Sequence, residues 1–169
     1  MGAVGADRET LDERFMASAL EQAGHAERNG EVPVGAVVVI DDEIVGRGFN
    51  SPIRLADPTA HAEILALRDA AAAKGNYRIV GATLYCTVEP CVMCIGAALH
   101  ARIDRLVYGA TDPKVGASAA IETLRQGGAG FNHRFETTGG VLAEKATLLL
   151  TRFFRDRRRP PQTEGEDCG

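Results

Sequence analysis

Cysteine is scarce in this chain: four among 169 residues, at Cys86, Cys91, Cys94 and Cys168. A disulfide framework spreads more cysteines along a shorter secreted chain, so that class is excluded. Long apolar runs are missing too. Residues 34–40 and 91–99 are far too short to span a bilayer. Residues 1–9 lack the basic and then apolar profile of a secretion signal. Ala6 stands where an N-myristoylation pattern needs Ser or Thr. There is no internal repeat and no net positive charge, the formal balance being −4, which argues mildly against nucleic-acid binding on average. The expectation is a cytoplasmic protein with no membrane contact.

The remaining composition is that of an ordinary globular chain, 45% apolar and 25% charged. Its length suits one domain, which buries roughly two-thirds of its unfolded surface. Residues 1–9 read as an N-terminal extension, 10–159 as a single domain and 160–169 as a disordered tail. Leu11, Phe15, Ala19, Leu20 and Ala23 recur at helical spacing and predict a helix over 10–29, stopped by Asn29-Gly30. The β-branched run 34–40 predicts a buried strand, with a turn at 41–43 and a return strand over 44–49.

Residues 50–59, with Pro52 and Pro58, read as a loop, and alanine-rich 60–74 as a helix capped by Thr59 and closed by Gly75-Asn76. Strands follow at 82–87 and 105–109, separated by a helix that Pro90 opens and that runs to His100. The Gly-rich stretch 111–132 reads as irregular, with one short helix near 119–125. Residues 135–138 form a fifth strand and 142–158 a final helix. This order predicts a layered α/β domain with helices on both faces of a mixed sheet of about five strands.

The chemistry concentrates in His61-Ala62-Glu63 and in Glu89-Pro90-Cys91-Val92-Met93-Cys94. Cys91 and Cys94 share one face of a helical turn. Helix N-termini favour thiolates, and His61 stands at the start of the other helix. Two such N-termini aimed at one point bring His61, Cys91 and Cys94 to a zinc ion, leaving a fourth position for water. Zinc lowers the pKa of that water to about 7. Glu63, two positions from the ligand, can take the water proton and pass it to a substrate nitrogen. A closed Cys3His site using Cys86 and a CxxC redox pair are the alternatives, and both leave Glu63 without a task. Arg152, Arg155, Arg157, Arg158 and Arg159 gather positive charge near the C-terminus. Charge alone leaves two readings, a solvated helix end or a phosphate contact.

The H-x-E and P-C-x-x-C pair, with 26 residues between Glu63 and Pro90, resembles the zinc-dependent nucleobase deaminases. Glu31-Val32-Pro33-Val34-Gly35-Ala36, Asp57-Pro58-Thr59-Ala60-His61-Ala62-Glu63, Asn132-His133-Arg134 and Phe153-Phe154-Arg155 are all similar to the bacterial tRNA-specific adenosine deaminases. The similarity spans roughly residues 11–159, although residues 126–130 are richer in glycine than that family's pattern. It implies the three-layer α/β/α cytidine deaminase-like fold and a homodimer. It also implies conversion of adenosine to inosine at the wobble position of an anticodon stem-loop. By the same resemblance His61, Cys91 and Cys94 are zinc ligands and Glu63 is the proton shuttle. Asn50 binds the target base and Asp112 meets the nucleotide backbone, while Arg155, Arg157 and Arg158 contact RNA. Two rivals stand beside it, a deaminase of free bases and a non-catalytic RNA-binding protein with structural zinc.

Overall fold

The computed structural model describes residues 3–117, 119, 122, 126 and 132–158. The chain runs through α1 (Ala3–Arg28), β1 (Gly35–Ile40), β2 (Glu43–Phe49), α2 (Pro52–Leu55), α3 (Ala62–Lys74) and β3 (Thr83–Val88). It continues through α4 (Val92–Ala101), β4 (Arg105–Ala110), β5 (Glu136–Gly139) and a last helix, α5 (Ala143–Arg157). The strands lie in the order β2-β1-β3-β4-β5. β1 is antiparallel to β2 and β3, while β3, β4 and β5 are mutually parallel. The expected five-stranded mixed sheet is there.

Alternation along the strands builds the layers. Val37 and Val39 with Tyr85 and Val107 face α1, where Phe15, Met16 and Ala19 cover them. Their neighbours Ala36, Val38, Leu84, Cys86 and Leu106 point to the other face and meet Ala66, Leu67 and Ala70 of α3 and Ile95 and Ala98 of α4. Successive side chains on a strand take opposite faces, so each strand serves two cores. α3 lies unusually close to β2, because a Cβ on Gly46 or Gly48 would run into the α3 backbone at Ala66 and Ala62. These two glycines let the start of α3, and so His61, sit tight against the sheet.

Some boundaries differ from expectation. α1 begins at Ala3 rather than residue 10. Residues 3–9 carry no apolar periodicity, yet extending a formed helix costs little once it is nucleated. The loop over 50–59 contains the one-turn helix α2, with Pro52 at its start, where a missing N–H is harmless. α3 begins at Ala62 with His61 as its N-cap, not Thr59, whose N–H and hydroxyl both turn to Asp57 Oδ1 at 2.8 and 2.7 Å. α4 likewise begins after Pro90, with Cys91 as N-cap. The expected tail, Arg159 and Cys168 lie outside the described residues, as do most of the expected 119–125 helix and the Gly-rich stretch.

One buried ion pair ties α1 to the sheet. Arg105 on β4 holds Asp12 with both nitrogens, at 2.6 and 2.7 Å, and the Tyr85 hydroxyl donates to Asp12 Oδ1 at 2.8 Å. The two side chains are 9% and 8% exposed. Burial pushes the Asp12 carboxyl up, but the bonds from Arg105 and Tyr85 outweigh it and leave it below its ordinary value.

Removing one partner strands the other, so Asp12→Ala should lower unfolding free energy by about 3–5 kcal/mol in urea titrations. A paired apolar replacement of Asp12 and Arg105 should cost less. Because the native Asp12 value is depressed, its contribution is present above the unfolded carboxyl value of about 3.9 and is lost as pH falls through the native one. A loss under about 1 kcal/mol in Asp12→Ala would show the pair to be screened by solvent.

Candidate metal centre and active site

The site forms where the C-terminal ends of β2, β3 and β4 meet the first turns of α3 and α4. His61 caps α3 with an extended backbone (φ −72°, ψ 153°), and Cys91 caps α4 in nearly the same conformation (φ −76°, ψ 171°). Neither side chain makes the usual N-cap bond to its own helix. Both point at a common centre instead. Cys94, in the first turn of α4, supplies the third atom. His61 Nδ1 is 3.6 Å from each sulfur, and the two sulfurs are 3.7 Å apart.

Those three edges test the fit to zinc. Zinc–sulfur bonds of about 2.3 Å and zinc–nitrogen bonds of about 2.0–2.1 Å at tetrahedral angles give S–S edges near ~3.8 Å and S–N edges near ~3.6 Å. The triangle matches both, so a zinc ion fits it without rearrangement. The three groups also lie close enough to share protons. The Cys91 thiol is pulled down to about 3 by hydrogen bonds with Cys94 and then His61. Its bond to Cys91 and burial push Cys94 up, and the same thiolate raises His61. A dication replaces these shared protons.

Among the described residues, this is the group positioned for a metal, and Cys86 is not in it. Cys86 is buried on β3 with its sulfur donating to Val107 O at 3.7 Å, and burial holds its thiol well up. The closed Cys3His arrangement is therefore not the one the fold builds.

Glu63 lies in the first turn of α3, 4% exposed. Burial pushes its carboxyl up, opposed by its own backbone N–H, by His61 and by a hydrogen bond with Cys94. Asn50, at the end of β2, sends Oδ1 to the N–H of Ala62 at 3.2 Å. It thus does for α3 the capping that His61 leaves undone. Sequence reading missed this role, although a polar residue upstream of a helix whose cap is a ligand is the available signal. The Asp112 N–H donates to Glu89 Oε2 at 3.1 Å. The Asp112 carboxylate caps its own turn through Lys114 N and Val115 N, at 2.9 and 3.2 Å.

The other candidates lie elsewhere. Arg157 donates to Gly30 O and lies over the Phe153 ring at 4.6 Å. Arg155 pairs with Asp156 at 3.3 Å, Arg158 is exposed, and Arg152 is tied to Glu27 of α1. In Asn132-His133-Arg134, the histidine Nε2 meets Ile103 O at 2.7 Å and Asn132 accepts from Arg102. That motif packs the strand edge near the far end of α4. No helix among the described residues is long and apolar enough to cross a membrane.

A three-layer α/β/α domain that presents one histidine, two cysteines and a buried glutamate at two helix starts defines a zinc-dependent deaminase. The chain belongs to the cytidine and deoxycytidylate deaminase family, whose zinc-binding region matches residues 9–110. It is 49% identical to the tRNA-specific adenosine deaminase of Haemophilus influenzae, over 93% of this chain and 91% of that one. It is 45% identical to the protein of the same name from Bacillus subtilis, over 89% and 92%. A solved structure from work on A-to-I editing by tRNA:A34 deaminases at the wobble position superposes with a TM-score of 0.75 at 41% identity, covering 81% of this chain and 99% of that one. A guanine deaminase from Nitrosomonas europaea shares the fold at 26% identity and a TM-score of 0.67, covering 83% of each chain.

Cys91→Ser should strip the protein of zinc on dialysis, read by elemental analysis, whereas Cys86→Ser should keep the native zinc content. Zinc loss in Cys86→Ser at unchanged secondary structure would place that thiol on the metal and contradict the triangle.

Proposed function

We propose that this protein hydrolyses adenosine to inosine and ammonia at the wobble position of a transfer RNA anticodon. One observation carries the reading: a buried carboxylate, Glu63, stands beside a zinc triangle with three protein ligands. Structural zinc has no use for such a carboxylate, whereas hydrolysis of an exocyclic amine needs one. The tRNA-specific relatives support the substrate.

His61, Cys91 and Cys94 would hold the zinc, which when bound would supply a water acidic enough to be a nucleophile near neutral pH. Glu63 accepts a proton from that water and delivers it to N1 of the adenine ring. The water oxygen bonds to C6, and Glu63 then moves the proton left on that oxygen to the C6 amine, whose C–N bond breaks to release ammonia. The upward pull of burial on Glu63 suits a group that must both take and give protons. Asn50, with Oδ1 committed to Ala62, offers the base its NH2 donors, which ring nitrogens can accept. An unpaired anticodon base is easily splayed into such a pocket. Asp112 meets the nucleotide backbone, and Arg155, Arg157 and Arg158 give phosphate contacts that weaken with salt. The protein acts as a homodimer in the cytoplasm. Ile53 and Leu55 of α2 and Val92 and Met93 of α4 are exposed apolar side chains that a second copy would cover.

Single-turnover deamination of an anticodon stem-loop with adenosine at the wobble position tests the reading. Inosine should form in the RNA and not from free adenosine, adenine, guanine or cytosine. Glu63→Ala should lose at least ~100-fold in rate with zinc retained. Asn50→Asp keeps the helix cap but loses the donors, and should lose ~10–100-fold in kcat/KM. An inert stem-loop beside a rapidly consumed free base would overturn the RNA assignment, and full activity in Glu63→Ala would overturn the mechanism.

A further inference from the structure

Glu89 is 4% exposed and takes no part in the metal triangle or the proton transfers above. It stands where β3 gives way to the linker that delivers Cys91. Its N–H donates to Ala110 O at 2.7 Å, and its Oε2 accepts the N–H of Asp112 at 3.1 Å. The segment it meets, residues 111–117, is folded against itself and against that linker. Gly116 N donates to Asp112 O at 2.9 Å, and Ala117 N donates to Pro90 O at 2.9 Å. Contact with the carboxylate is direct: a Cβ on Gly116 would lie 2.5 Å from Glu89 Oε2 and 2.6 Å from its carboxyl carbon. Space, not backbone conformation, demands glycine there.

We propose that Glu89 is a positioning residue that holds residues 111–117, and with them Asp112, against the start of the zinc-binding helix α4. The inference rests on the function proposed above, in which Asp112 faces the substrate. A buried carboxylate accepting a backbone N–H makes a charge-assisted bond that water cannot replace without opening the packing. The segment is pinned at two points, to the Glu89 side chain and to the Pro90 carbonyl. Cys91 follows Pro90 directly, so the substrate rim and the metal-bearing helix are registered through one short linker. Loosening the Glu89 contact moves the rim first. The metal triangle is anchored separately, through α3 and α4, and stays in place.

Amide hydrogen exchange and steady-state kinetics on the zinc-loaded full chain read this directly. Glu89→Ala should speed exchange at the Asp112 amide and raise KM for the anticodon stem-loop by about tenfold or more, with zinc content retained and kcat near native. Glu89→Gln, which keeps a carbonyl acceptor in the same place, should restore both to within about threefold. Unchanged Asp112 exchange in Glu89→Ala overturns the inference. So does loss of zinc with falling kcat at constant KM, or failure of Glu89→Gln to rescue either readout. If the native protein leaves the stem-loop untouched while the exchange pattern holds, the substrate reading has failed and the positioning role stands.

Discussion

The site depends on two helices that begin at the same point in space and give up their own N-caps to do so. An N-cap side chain ordinarily satisfies a free N–H of its helix. In α3 and α4 the cap positions are His61 and Cys91, and both side chains turn to the shared centre. The exposed N–H groups and the positive end of each helix then lie beside two sulfurs and a carboxylate, where partial positive charge favours the anionic forms. Helix ends so arranged carry unsatisfied donors, and the fold meets that cost locally. Asn50 reaches across from β2 to cap α3.

Holding the two helix starts to within a few tenths of an ångström requires a rigid floor. Gly46 and Gly48 let α3 settle onto β2, while the parallel pairing of β3 with β4 brings the ends at Val88 and Ala110 side by side. On the opposite face, α1 is locked by the Asp12–Arg105 pair and the aromatic contact of Phe15 with Tyr85, ring centres 5.4 Å apart. That lock lies at the other end of β4 from the chemistry. A rigid scaffold at one end and ligands on loops and helix starts at the other is the general arrangement of sites in layered α/β domains.

The layers and the metal triangle were legible in the sequence because both rest on strong periodic or spaced signals. The β-branched run at Val37–Val39 could only be a buried strand, and two cysteines three apart after a proline had one face to share. The misread details share a cause. Thr59 looked like a cap, but Asp57 captured it first, and short polar side chains compete for nearby N–H groups in ways spacing does not rank. Residues 3–9 carried no apolar stripe, so nothing marked them as helix although α1 runs through them. Glu89 and Glu31 are long-range partners of Asp112 and Arg54. Those contacts follow from chain crossings that no local pattern encodes.

The central claim is that one nitrogen and two sulfurs hold the zinc, with Cys86 apart from it. X-ray absorption at the zinc edge of the native protein measures that donor set. The account predicts two sulfur neighbours at about 2.3 Å and the remaining shell of nitrogen and oxygen at about 2.0–2.2 Å. A shell with three sulfurs would contradict it, because it would put a further cysteine on the metal and close the position the chemistry needs.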